Sequence, residues 1–441
     1  MGRLSASSGA RERLHRILQR YARVEPQEVP AVLWAFSYFF ALLCSYYIVR
    51  PMRDEMGVAG GVEHLQWLFT GTFVSMLAAV PLFGWVSSRY PRRRFIPLVY
   101  YFFVANLLLF FVLFRSEVTH AWVARAFFIW ASVFNLFVVS VFWSFMADIF
   151  TNEQARRLFG FIAAGGTCGA LTGPVITSTL ALPLGATNLL PVSALFLLWA
   201  VFSVHRLAAW SESSAAAGGD HAVPGRRRAM GGGLFDGIRL VMRSPYLLGI
   251  CALMLLFTTL ATFLYFQQAQ IIADRFADPA RRTTVFAGID LAVNTLTILV
   301  QVFVTGRLVK AAGLAATLAL LPLLLAAGFL VLGFAPVLAV LVVVQVVRRA
   351  GNYAIMRPAR EMLYVVLEPQ EKYKAKNFID TAVYRGGDVV SAWLYAGLRG
   401  LGFGLGEIAW LAVPLAGLWG WLGYALGRHQ TALAQRQGKA G

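Results

Sequence analysis

Stretches of about twenty apolar residues recur from Val32 to Leu426, each long enough to cross a ~30 Å hydrocarbon layer as a helix. Short loops rich in Gly, Pro and Arg separate them. No segment alternates apolar and polar residues as a barrel strand does, so helices remain the way to satisfy backbone groups in lipid. Charged residues make up 14% of the chain and hydrophobic ones 59%, whereas a soluble domain carries about a quarter charged residues. The fold class is therefore an all-α polytopic membrane protein of about twelve transmembrane helices.

The expected spans are 32–53, 65–86, 95–114, 121–149, 158–180 and 188–207, then 246–272, 284–304, 314–333, 336–357, 378–398 and 407–427. They define two six-helix bundles, 31–208 and 246–427. Between them lies a linker, 209–245, whose Ser, Ala and Gly runs and Arg226-Arg227-Arg228 triplet cannot bury apolar surface. Within it Leu234–Arg243 reads as a short amphipathic helix leading into span seven. Residues 1–30 form a basic N-terminal segment. Leu14, Ile17, Leu18 and Tyr21 recur at helical spacing among five arginines, the pattern of a helix lying on anionic lipid. Residues 428–441 are a tail.

A net charge of +18 raises the question of nucleic acid, but its distribution answers it. The loops on one side carry about 28 of the 39 Lys and Arg against about 7 on the other, as the positive-inside rule demands. The basicity is topological. No nucleic-acid partner is expected, and both termini should lie in the cytoplasm of a bacterial inner membrane. Cys44, Cys168 and Cys251 sit in apolar stretches without metal or disulfide spacing. Zinc-ligand spacing, a nucleophile elbow and a phosphate-binding Gly-rich loop are all missing, so neither a cofactor nor enzymatic activity is expected. A monomer is the expectation for this architecture.

Ionisable groups inside lipid cost several kcal/mol unless paired or hydrated, which makes each a functional candidate. At ~1.5 Å per residue, Arg348, Arg349 and Asn352 lie roughly 18–24 Å into span ten. Arg385 and Asp388 lie roughly 10–15 Å into span eleven, and Asp290 and Asn294 reach a similar depth on span eight. Three arginines and two carboxylates thus crowd the middle of the second half. Arg grips phosphate or carboxylate through its planar fork, so an anionic small-molecule substrate is the economical reading. Asp290 or Asp388 would hold an arginine when the site is empty, or carry a proton. The plainer alternative is that Arg385 and Asp388, at i,i+3, form a structural pair. Arg348 and Arg349 are adjacent and must face different ways.

Further charges cluster at span ends. Arg50, Arg53 and Asp54 share one face of span one, while Arg357, Arg360 and Glu361 end span ten; Pro51 and Pro358 are expected to interrupt those helices. Both clusters are candidates for a gate or a substrate path, as are Lys376 and Asp380. Asp148 and Arg156 form a candidate gate pair. Gly165, Gly169 and Gly173, spaced by four, predict close helix packing. Gln267, Gln268 and Gln270 are polar enough to line a cavity mouth.

Six spans, a linker and six more resemble the layout of the major facilitator superfamily, whose halves rock about a central site. The segment Gly84-Trp-Val-Ser-Ser-Arg-Tyr-Pro-Arg-Arg-Arg94 is similar to that superfamily's basic loop, with Ser88 where an Asp is usual. Gly306-Arg307-Leu-Val-Lys310 echoes it after span eight. Two stretches resemble the nucleotide transporter family, which includes the ATP/ADP exchangers of plastids and intracellular bacteria. They are Arg360-Glu361-Met362-Leu-Tyr364-Val-Val-Leu-Glu368 with Lys372-Tyr-Lys374-Ala-Lys376-Asn-Phe-Ile-Asp380, and Tyr47-Ile-Val-Arg50-Pro-Met-Arg53-Asp54. Phe142-Trp143 and the Glu153–Arg157 loop also fit. The resemblance implies that basic residues of the first and eleventh helices bind phosphates, which puts Arg53 and Arg385 where the family has lysines. Pro51 replaces an Asp, and Arg385 comes about one turn early. These departures imply a bacterial branch whose substrate need not be ATP or ADP, so the resemblance supports an anion without naming it. A proton-coupled exporter or lipid flippase of the same fold is the competing reading, compatible with 34 Phe and 12 Trp.

Overall fold

A computed structural model describes residues 24–89, 92–116, 120–216 and 234–438 of the 441. Among the described residues every regular element is helical. The first half contains α1 (Val29–Ala59), α2 (Leu65–Arg89), α3 (Arg92–Arg115), α4 (His120–Ile149), α5 (Asn152–Leu184) and α6 (Leu189–Ala216). The second half contains α7 (Leu234–Arg243), α8 (Pro245–Arg275), α9 (Pro279–Val300), α10 (Gly306–Phe334), α11 (Leu338–Gly351), α12 (Arg357–Leu363), α13 (Pro369–Phe378), α14 (Tyr384–Gly400) and α15 (Leu405–Arg436). Three π-helical turns, Gln301–Thr305, Asn352–Met356 and Ile379–Val383, join α9 to α10, α11 to α12 and α13 to α14.

Among the described residues, ten helical segments are long and apolar enough to cross a membrane. One of them, Pro279–Phe334, has 56 residues and would extend about 84 Å as a straight helix, far beyond a ~30 Å core. Gly313 divides it. Its φ of 73° and ψ of 172° break the helix, and glycine alone adopts that backbone without strain. An added Cβ there would meet open space, so the backbone rather than packing requires the glycine. The remaining span is Ile379–Gly400, whose α14 is short and carries Arg385, Asp388 and Arg399. Splitting Pro279–Phe334 and adding Ile379–Gly400 gives the twelve spans that the apolar runs predict.

Helix starts follow local chemistry. Thr151 and Gln154 form a reciprocal capping box at α5, with Gln154 N–H donating to Thr151 Oγ1 at 3.3 Å and Thr151 N–H donating to Gln154 Oε1 at 3.0 Å. Asp278 caps α9 by accepting from the N–H groups of Ala280 and Arg281, with Pro279 in the first turn. Two expectations change. Pro51 does not interrupt α1, which runs unbroken through it because one missing N–H removes a single hydrogen bond. α6 continues to Ala216, into the stretch expected to be linker. The rest of that linker, 217–233, the N-terminal amphipathic segment and the middle of the basic Gly84–Arg94 loop lie outside the described residues.

The chain divides into two compact units. One comprises residues up to Arg53 together with Ser75–Arg227, and the other Asp54–Val74 with Arg228–Gly441. In the first, α3 packs along α6, and α5 lies against α1. A Cβ on Gly165 or Gly169 would meet the carbonyl oxygen of Phe36 or Phe40, and one on Gly173 would come within 2.7 Å of Tyr47 Cβ. The glycine stripe is thus the contact face that its spacing predicts. Aromatic rings fill the core beside it, with Phe39 stacked on Phe142 at 4.1 Å and the Tyr38 and Tyr100 hydroxyls bonded to each other. In the second unit α10 packs along α15, α8 against α14 and α15, and α9 against α11. Gly423 and Gly427 of α15 admit the α10 backbone at Leu318 and Ala315.

Candidate functional site

The second unit holds the charged residues at membrane depth. α11 begins as an apolar run from Leu338 and places Arg348 and Arg349 in its last turn. The chain does not leave the helix there; it passes through the π turn Asn352–Met356 into α12. A π turn inserts one residue and rotates the helix beyond it, and such turns concentrate at functional sites. Gln301 Nε2 donates to the Tyr353 carbonyl at 3.4 Å, and Thr305 Oγ1 donates to the Ala354 carbonyl at 2.8 Å. The π turn of α9–α10 therefore braces the π turn of α11–α12.

The two adjacent arginines point to different partners. Arg349 pairs with Asp290 of α9 at 2.6 Å, and their side chains are only 8% and 1% exposed. Arg348 Nε donates to Gln345 Oε1 at 2.9 Å, and Gln345 Nε2 donates in turn to Gln268 Oε1 of α8. This chain of hydrogen bonds carries Arg348's orientation back to a second helix. Asn294, one turn from Asp290, is buried beside it on α9. On α14, Arg385 lies 3.7 Å from Asp388 and 5.3 Å from the Tyr384 ring centroid. The i,i+3 pair is therefore formed, though loosely.

Towards the C-terminal end of α12 a second set of charges closes up. Arg360 NH2 lies 3.4 Å from Asp380 and its NH1 donates to Met254 Sδ at 2.9 Å. Lys376 pairs with Glu361 at 2.6 Å. Tyr246 Oη donates to the Leu363 carbonyl at 2.7 Å, tying α8 to the same corner. Arg357 stands exposed at the start of α12, and Asn352 is half-buried in the π turn.

Arg53 lies over the Phe128 ring at 4.8 Å and Arg50 over Tyr47 at 5.6 Å, both in the first unit. Asp54 accepts from Tyr265 Oη at 3.1 Å in the second unit. Sequence reasoning missed the next residue. Glu55 is fully buried and receives Arg282 NH2 at 2.7 Å, while Arg282 NH1 also donates to the Phe276 and Ala277 carbonyls. Nor does the sequence mark out Gln345. In the first unit Arg157, not Arg156, makes the ion pair, to Glu28 at 2.9 Å; Asp148 and Arg156 are exposed and do not pair with each other. Gln267 and Gln268 are buried rather than lining a mouth, Gln267 donating to the Leu405 carbonyl at 3.0 Å. No metal-binding group of His, Cys, Asp and Glu occurs among the described residues.

A family model described as Major Facilitator Superfamily matches residues 31–372. The chain is 21% identical over 458 residues to ADP,ATP carrier protein 2 of Chlamydia pneumoniae, covering 84% of this chain and 82% of that protein. Among solved structures the nucleoside transporter NupG superposes with a TM-score of 0.63 at 13% identity, covering 91% of this chain and 98% of NupG. The POT family transporter PepTSo gives 0.59 at 12% identity, covering 92% and 98%. These structures share the fold.

Proposed function

Because the chain belongs to the major facilitator superfamily, we propose that it is a secondary active transporter moving an anionic metabolite, nucleotide-like or phosphorylated, by alternating access. Its setting is a bacterial inner membrane, with both termini cytoplasmic on the strength of the loop charges. One observation carries the substrate reading. The spans of the second unit hold Arg348, Arg349 and Arg385 against Asp290 and Asp388, and Arg349 is taken up by Asp290 at 2.6 Å. Arg348 Nε is held by the Gln345 amide at 2.9 Å, and Arg385 lies 3.7 Å from Asp388. A site with an excess of arginine favours a ligand that brings negative charge and several acceptor oxygens. The relationship to an ADP,ATP carrier at 21% identity points the same way. Asp388 would hold Arg385 between transport cycles, and Arg53 and Arg50 would serve the substrate path from the first unit.

The test is uptake of labelled nucleotides, phosphate esters and organic acids into proteoliposomes, compared with Arg348→Ala and Arg385→Ala. Flux of one anion class, lost in both variants while the protein remains folded, supports the reading. Flux only of an amphipathic compound and only with a pH gradient would replace it with a proton-coupled exporter or flippase. In that mechanism the Arg385–Asp388 pair would be the proton-carrying site.

A further inference from the structure

α7 is ten residues long and stands one residue before a span: Ser244 caps α8, accepting from Leu247 N–H at 3.4 Å, and Pro245 opens it. One side of α7 packs on α13, and Val241 is buried on that side at 2% exposure. Among the described residues, the neighbouring edge is not covered. Ile238 and Met242, one turn apart, remain 37% and 66% exposed, and Arg239 and Arg243, also one turn apart, are exposed beside them. At 3.6 residues per turn Arg239 lies about 60° around the helix from Met242, so the arginines border the apolar edge.

A single exposed Ile or Met would mean little, since folded proteins expose much apolar surface. Location decides here. Leu248 and Leu255 are exposed on α8, the apolar span that follows, 39% and 44% respectively. Met242 stands three residues before Pro245, where the apolar span begins, so it lies at the boundary of the span rather than far out in open water. An amphipathic helix at that depth with arginines at the border of its apolar edge has the arrangement of an interfacial anchor. α13, on which it packs, adds the partly exposed Lys372 and Lys374.

We propose that α7 lies in the headgroup layer where α8 enters the membrane, with Ile238 and Met242 in the acyl boundary and Arg239 and Arg243 on the phosphates of anionic phospholipid. The bilayer is the occupant of this edge. Positive charge selects its anionic lipids, and the edge adjoins the start of an apolar span.

The full chain, with Cys44, Cys168 and Cys251 replaced by Ser, would carry Met242→Cys labelled with an environment-sensitive dye. It would be reconstituted in vesicles of phosphatidylcholine alone or of phosphatidylcholine with phosphatidylglycerol. Acyl-chain-brominated lipid should quench the dye, and iodide should reach it several-fold less well with phosphatidylglycerol present. Arg239→Ser with Arg243→Ser should remove that difference. Equal iodide access in the two vesicles overturns the proposal, as does lipid-dependent protection that survives the arginine substitutions. If the cysteine-free chain does not fold, hydrogen exchange of residues 234–243 in the unaltered protein decides. Several-fold slower exchange with phosphatidylglycerol supports it and unchanged exchange overturns it.

Discussion

Arg282 reaches Glu55 at 2.7 Å, and Glu55 has no exposed side-chain surface. A buried ion pair adds little over a well-packed apolar pair, but removing one partner strands the other, at about 3–5 kcal/mol. Arg282→Ala should therefore lower the thermal unfolding temperature markedly, whereas Glu55→Gln with Arg282→Ala should recover much of the loss. Thermal unfolding of the purified variants measures both. A double variant no more stable than Arg282→Ala alone would show that Glu55 does not depend on this partner.

Arg349 and Asp290 predict a different pattern from Arg348. With both side chains buried at 2.6 Å, Arg349→Ala should destabilise the protein by about 3–5 kcal/mol, and Asp290→Asn should do so less because the amide still accepts a hydrogen bond. Arg348→Ala strands the buried Gln345 amide and should cost about 1–3 kcal/mol, but it should also abolish ligand-induced stabilisation. Thermal shifts with and without a transported anion separate the two roles. If Arg348→Ala costs as much stability as Arg349→Ala, Arg348 is structural as well.

The spans were legible because lipid removes every alternative to a long apolar helix; the glycine stripe of α5 was legible because its period matches the helix. Glu55 and Arg282 were not, being 227 positions apart and each resembling ordinary interfacial charge. Gln345 escapes notice because an amide in an apolar run acquires meaning only once Gln268 and Arg348 are seen on either side of it. The three π turns have no residue signature, since one inserted residue shifts hydrogen bonds without changing composition. Adjacent arginines at 156 and 157 show the same limit: their spacing allowed either to pair, and only the position of Glu28 selects Arg157.

Gly169 offers a packing test. A side chain there would press into the backbone of α1 at Phe40 and Cys44, and overpacking of this kind costs about 1–3 kcal/mol. Gly169→Leu should reduce the folded yield and the unfolding temperature. Gly160→Ala, on the same helix with open space around its Cβ position, should be neutral or slightly stabilising. Comparing the two by size-exclusion profile and thermal unfolding controls for helix propensity.

The bond from Thr305 Oγ1 to the Ala354 carbonyl at 2.8 Å joins two π turns on neighbouring helices. The same hydroxyl is placed 3.1 Å from the Val300 carbonyl of its own helix, as a π turn leaves backbone acceptors in need of donors. Thr305→Val keeps the shape and removes the donor, at a cost of about 1 kcal/mol. Because the Asn352–Met356 turn sits between Arg348–Arg349 and Arg357–Arg360, loosening its brace should change how fast the arginines exchange between arrangements rather than how tightly they bind. The expected result in proteoliposomes is an altered maximal transport rate with a nearly unchanged half-saturation concentration. Thr305→Ser, which keeps the hydroxyl, should restore the rate. A Thr305→Val variant with wild-type rate and affinity would make the paired π turns a packing solution with no part in transport.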